Sequence, residues 1–209
     1  MKIFKSVRNH KGFTLVELAI VLVIIGIILG AVLKGQELIN NAKMKRLYNQ
    51  QREIVAALYT YYDRYSYFPG DDPAGARFAG VTNGDGDGLI ATAAAATTPN
   101  YACTAGGAAN EQCNLWGALR MSNIIAGATA APLMYRNVAH AYGGGIAVTY
   151  NAAPAGAALV TNWIMFQNIP GEVAQILDSQ YDDGVQTTGS VRGTAAYTAG
   201  TFINLGFRL

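Results

Sequence analysis

The sequence predicts an α+β fold in which one long N-terminal helix is laid against a small antiparallel sheet, and three observations carry that reading. A run of Ile, Val, Leu, Gly and Ala fills residues 13–33, a helical apolar face follows over residues 47–65, and short strand-like stretches recur only beyond residue 145. A helix first and strands last is the order of an α+β chain, not of alternating βαβ units. With 51% hydrophobic and 13% charged residues in 209, the chain is too apolar for disorder and long enough for one domain plus an extended element.

Residues 1–12 carry Lys2, Lys5, Arg8 and Lys11 and no acid; without them, eleven bases face thirteen acids. Beyond residue 66, five arginines (Arg77, Arg120, Arg136, Arg192, Arg208) face nine acids, which argues against a broad phosphate-binding face and against nucleic acid as a partner. The apolar run of about 21 residues that follows can cross a hydrocarbon layer of about 30 Å as a helix. Bases before it and few just after it place the N-terminus in the cytoplasm and the rest beyond an inner membrane, in the periplasm. A secretory signal would have a shorter apolar core and a small-residue cleavage site, whereas this run flows into an amphipathic helix, so it is expected to stay. One residue breaks its apolar rule: Glu17. A carboxylate inside a membrane costs on the order of 2.5–3.5 kcal/mol at mid-span, and either snorkels or has a partner.

The string Lys11-Gly12-Phe13-Thr14-Leu15-Val16-Glu17 resembles the leader junction of type IV prepilins and type II secretion pseudoprepilins: a basic leader, Gly, an aromatic, then Glu four residues later. The resemblance implies that a prepilin peptidase cuts between Gly12 and Phe13 and methylates the new Phe13 amine, and that Glu17 offers its carboxylate to the Phe13 amine of a neighbouring subunit. Opposite charges would then compensate each other in lipid or in a filament core. It also implies a pilin-like arrangement: residues 1–12 a cleaved leader, 13–33 a transmembrane helix, 34–66 its amphipathic continuation, and 67–209 a periplasmic or extracellular head. Gly26 and Gly30, four apart, permit close helix approach in lipid. Many pilins carry a Pro after the apolar run; here Ala31-Val32-Leu33-Lys34 has none, a departure from a typical major pilin.

From Lys34 the pattern is amphipathic, with Leu47, Ile54, Leu58, Tyr61 and Tyr65 on one face and Lys43, Lys45, Arg46, Arg52 and Glu53 between them. Pro69-Gly70 closes the helical region. A short helix is expected around Leu115, Trp116, Leu119 and Ile125. An alternating strand is expected at Ile146, Val148 and Tyr150, and a buried strand over residues 159–166. A second short helix is expected over residues 170–180, and strands near Val191 and over residues 202–205.

The segment Asn83-x-Asp85-x-Asp87-Gly88 sets oxygen ligands at alternate positions, like the opening half of a calcium loop, but the twelfth position is Ala94. A calcium site there needs backbone oxygens or Glu111, Asp71 or Asp72; the alternative is a Gly-rich turn whose side chains satisfy their own backbone. Asp178, Asp182 and Asp183 gather at the C-terminal end of a predicted helix, where carboxylates are unfavourable, so Arg192, Arg208 or a calcium ion is expected nearby. Cys103 and Cys113 have nine residues between them and no second pair for a zinc site, so they are read as a disulfide, with two free thiols as the alternative.

An enzyme finds little support: the only histidines are His10 and His140, and no nucleophile elbow, phosphate loop, dinucleotide-binding or zinc-ligand spacing occurs. No cofactor is required, calcium being the one candidate. The functional expectation is a structural subunit that polymerises, with itself or with other pilin-like chains, through its apolar helix. A type II secretion pseudopilin, or a membrane-anchored binding module with a Tyr-rich surface, is the alternative.

Overall fold

The computed structural model describes residues 12–91, 98–104, 110–150 and 161–209. The leader up to residue 11, Ala94 and residues 159–160, on which expectations above rest, lie outside them. The chain divides into two units, Met1–Ala42 and Lys43–Leu209.

The first unit carries the opening turns of helix α1, which runs over Leu15–Tyr65. Every large apolar side chain of residues 13–33 is exposed. By length and composition this stretch is suited to cross a membrane, and it would then meet lipid rather than water. No atom lies within 4 Å of where a Cβ would stand on Gly26 or Gly30, so that face is open.

In the second unit, α1 buries Leu47, Gln50, Ile54, Ala57, Leu58 and Tyr61, the face its apolar spacing predicts, with Tyr65 half-buried beside it. Lys45, Arg46, Arg52 and Glu53 are exposed. Arg46 and Glu53 pair at 2.7 Å, a surface contact of about 0–1 kcal/mol. The helix ends where Ser66 takes φ 64° and donates its N–H back to the Tyr62 carbonyl. Gly70 follows at φ 93°, set so close to the Glu111 carbonyl that a Cβ would collide with it.

Helix α2 (Glu111–Met121) is buried on every side up to Arg120. It stops short of Ile125 because Asn123 takes the left-handed conformation (φ 55°). Ile124 and Asn123 then donate to the Leu119 and Arg120 carbonyls at 3.0 Å each, a Schellman closure with Asn in place of Gly. Strands β1 (Ile146–Tyr150) and β2 (Asn162–Pro170), helix α3 (Gly171–Tyr181), and strands β3 (Val191–Gly193) and β4 (Phe202–Arg208) complete the unit. The sheet is antiparallel throughout in the order β1-β2-β4-β3. Among the described residues strand β2 begins at Asn162, and it runs on to Pro170 through an irregularity between Phe166 and Ile169, where Asn168 sits at φ 56°. Strand β4 continues three residues beyond the predicted Leu205.

Ile146, Val148, Ile164, Phe166, Leu205 and Phe207 share one core with the α1 face. The opposite face is also covered: Ala147, Trp163 and Met165 form a second buried cluster against Tyr101. The alternation in β1 therefore does not mark a wet face, since all five of its residues are buried.

Candidate functional site

Phe13 is exposed and precedes the helix. Thr14 stands before the first helical residue, and its N–H and its Oγ1–H both donate to Glu17 Oε2 at 2.8 Å. The Glu17 N–H returns a bond to Thr14 Oγ1 at 3.2 Å. This is a capping box: Thr-x-x-Glu satisfies amides at a helix start and sets a negative charge against the positive end of the helix dipole. Glu17 thus has a partner within its own chain, which the sequence reading did not see although the Thr14-Leu15-Val16-Glu17 spacing carries the signal. Both Thr14 donors reach Oε2, and among the described residues no donor bonds Oε1, which leaves that oxygen for a cation.

The second candidate is the turn over residues 83–91. Asp71, immediately after Gly70, is fully buried. Its Oδ1 accepts the N–H groups of Gly86 (2.8 Å) and Asp87 (3.1 Å), and its Oδ2 that of Gly88 (3.0 Å). Glu111 on α2 also accepts N–H groups of the turn, those of Asp85 (3.3 Å) and of Ala91 (2.9 Å). Asp85 and Asp87 each accept the N–H two residues on. Burial pushes the Asp71 carboxyl up to about 6, with the charges of Asp87 and Asp85 adding to it. Burial likewise raises Glu111 to about 7 against the pull of its two amide bonds. Carboxylate oxygens of Asp71, Asp85 and Asp87 lie within 4.8 Å of one another, so these three can hold a divalent cation. The same oxygens also close the turn on their own, as the turn reading requires.

Two of the expected ligands point elsewhere. Asn83 Oδ1 accepts the Ala76 N–H at 2.8 Å. Asp72 accepts the Tyr61 hydroxyl at 3.0 Å and pairs with Arg77 at 3.1 Å.

Asp178, Asp182 and Asp183 also converge within 4.8 Å. No base among the described residues forms an ion pair with the trio, and Arg192 instead donates Nε–H to the Gly189 carbonyl at 3.1 Å. Asp178 accepts the Tyr197 hydroxyl at 2.6 Å, Asp182 the N–H groups of Ser190 and Val191, and Asp183 the Val185 N–H and Thr188 hydroxyl. Neutral donors thus satisfy these oxygens, while Arg192 stands near enough for its charge to help lower Asp183. Burial raises the Asp178 carboxyl, while the Thr188 hydroxyl bond, followed by the Val185 amide, lowers Asp183.

Cys103 and Cys113 are joined, their Cα atoms 5.4 Å apart, tying a loop to the first turn of α2. Asn137 fixes that loop by accepting the Cys103 N–H and donating to the Asn100 and Ile146 carbonyls. Reducing this bond is expected to lower head stability by about 2–3 kcal/mol. Mass mapping without reductant should return the two cysteine peptides linked; recovery of both thiols freely alkylated would refute the pairing.

Residues 7–33 match the family model described as the prokaryotic N-terminal methylation motif. Neither the curated proteins nor the solved structures contain a match to the chain. The matched span holds the Gly12–Phe13 junction, Thr14, Glu17 and the exposed apolar turns of α1, and together with the four-stranded antiparallel head that follows in sequence it supports a likeness to type IV prepilins and pseudopilins through the N-terminal cleavage and methylation motif.

Proposed function

We propose that the chain is a structural subunit, cleaved after Gly12, that polymerises into a type IV pilus-like filament through the apolar turns of α1. The matched motif over residues 7–33 carries this reading, because its single acid sits four residues from the new amine in an otherwise apolar helix. The cut would free an α-amine with an ordinary pKa of about 7.7–8.0, a cation at neutral pH that Glu17 of an adjacent subunit can pair. The head would then lie on the periplasmic side of the inner membrane before assembly. A secretion pseudopilin polymerises by the same chemistry, and nothing among the described residues of the head favours that destination over a pilus.

The mature protein should begin at methylated Phe13. N-terminal mass spectrometry of membrane-derived protein checks it, and a start near Lys34, or an intact leader in cells with active peptidase, would overturn it. Sheared or crosslinked polymer of the mature chain tests the second half of the reading.

A further inference from the structure

His140 is buried at 5% exposure in the turn that precedes β1, and its ring is held by two contacts of opposite sense. Nε2 lies 2.7 Å from the Gln167 carbonyl, which can only accept, so Nε2 carries the proton. Nδ1 lies 3.3 Å from the Tyr142 N–H, which can only donate, so Nδ1 must be bare. Phe166 packs edge-on to the ring at 5.7 Å. Gly144 closes over it, and a Cβ there would strike both the Gln167 carbonyl and His140 Nε2.

The turn is fastened to the base of the head's helix. Gln50 on α1 donates to the Ala139 carbonyl at 3.1 Å, and Lys43 stands 5.8 Å over the Tyr142 ring. The Gln50 Oε1 has no hydrogen-bond partner among the described residues, so the bond to Ala139 is the side chain's one observed polar tie.

We propose that His140 is an acid-operated latch: a proton taken from solvent onto Nδ1 sets N–H against the Tyr142 N–H and frees residues 138–145 from α1. Neutral imidazole satisfies both contacts; imidazolium can satisfy only one, and among the described residues no carboxylate forms an ion pair with it. The titratable groups around the ring do not rescue it. Tyr142 is a neutral phenol, Lys43 on α1 is itself a cation, and Glu172 on α3 acts on Tyr142 without an ion pair to His140. Strand β2 brings only Phe166 and the Gln167 carbonyl.

Burial holds His140 below the ordinary histidine range. The folded state therefore binds fewer protons than the unfolded chain, and the latch's contribution, whole above about pH 6.5, is lost as pH falls through that value toward the folded pKa. Asp71 and Glu111, held up by burial, favour the fold in the opposite direction over the same range, so a global melting curve mixes the effects and a local readout is required.

Amide hydrogen exchange of the full chain in detergent, corrected for intrinsic pH dependence, supplies that readout. Between about pH 7.5 and about pH 5, protection of residues 138–146 and of α1 residues 43–50 should fall on the order of tenfold in wild type, and stay level in His140→Gln. The amide of Gln offers both a donor and an acceptor without titrating. Equal loss in wild type and variant, or constant protection in wild type, would overturn the latch. Should the variant fail to fold, imidazole NMR of the wild type decides: a His140 that titrates in the ordinary range, with Tyr142 and Gly144 amides unmoved, overturns it as well.

Discussion

Replacing Glu17 by alanine is expected to leave a chain that inserts and is cleaved after Gly12 but does not assemble. On the proposed pairing the loss should be near complete, because removing one partner would strand the neighbour's Phe13 ammonium in an apolar environment at a cost of about 3–5 kcal/mol. Insertion itself should improve slightly, since a carboxylate leaves the apolar run. The capping box supplies the control. Thr14→Ala removes the hydroxyl that bonds Glu17 but leaves the carboxylate, so it should cost only about 1 kcal/mol of helix stability and still polymerise. The comparison is cleaved monomer in the membrane against sheared or crosslinked polymer. Wild-type polymer from Glu17→Ala would refute the pairing, and equal failure of both variants would assign Glu17 to the helix start alone.

The largest effect on the head is expected from Asp71→Ala. Its two oxygens accept three N–H groups of one turn from a fully buried position, and alanine leaves those donors facing a void. The cost should be roughly 2–4 kcal/mol, a fall in Tm on the order of 10 °C. Asp87→Ala, at an exposed position with one local bond, should cost well under about 1 kcal/mol. Thermal melts of the mature chain and both variants in detergent check the contrast, and equal melting of the Asp71 variant and wild type would sink the role given to the buried carboxylate. Running the melts with calcium and with chelator sorts the two readings of the turn. A calcium-dependent rise that Asp85→Ala abolishes assigns an ion to the three carboxylates, and superimposable curves assign them to the backbone alone.

The acidic turn shows how far residue spacing reaches. Asn83-x-Asp85-x-Asp87-Gly88 marks the loop, because alternate oxygen side chains and glycines are a local pattern. That Asp71 rather than Asn83 closes the group depends on Gly70 bringing the chain against α2, a contact between residues about forty apart in sequence. Likewise Asp178, Asp182 and Asp183 are legible as a cluster, but their neutral partners Tyr197, Ser190 and Thr188 come from a return of the chain that no spacing encodes.

What the sequence determined by itself is what depends on neighbours in the chain: the apolar run, the Gly12–Phe13 junction with Glu17, and the helical face from Leu47 to Tyr65. Each is written in period or composition, and a helix closes its own hydrogen bonds within four residues. Tertiary structure alone decided that both faces of the sheet are covered, that Asp71 and Glu111 together hold the turn, and that His140 stands between an acceptor and a donor. Apart from the Tyr142 amide, two residues from His140, those outcomes rest on groups 15 or more residues apart meeting in a buried space, where the cost of an unpaired polar atom, not local preference, selects the partner.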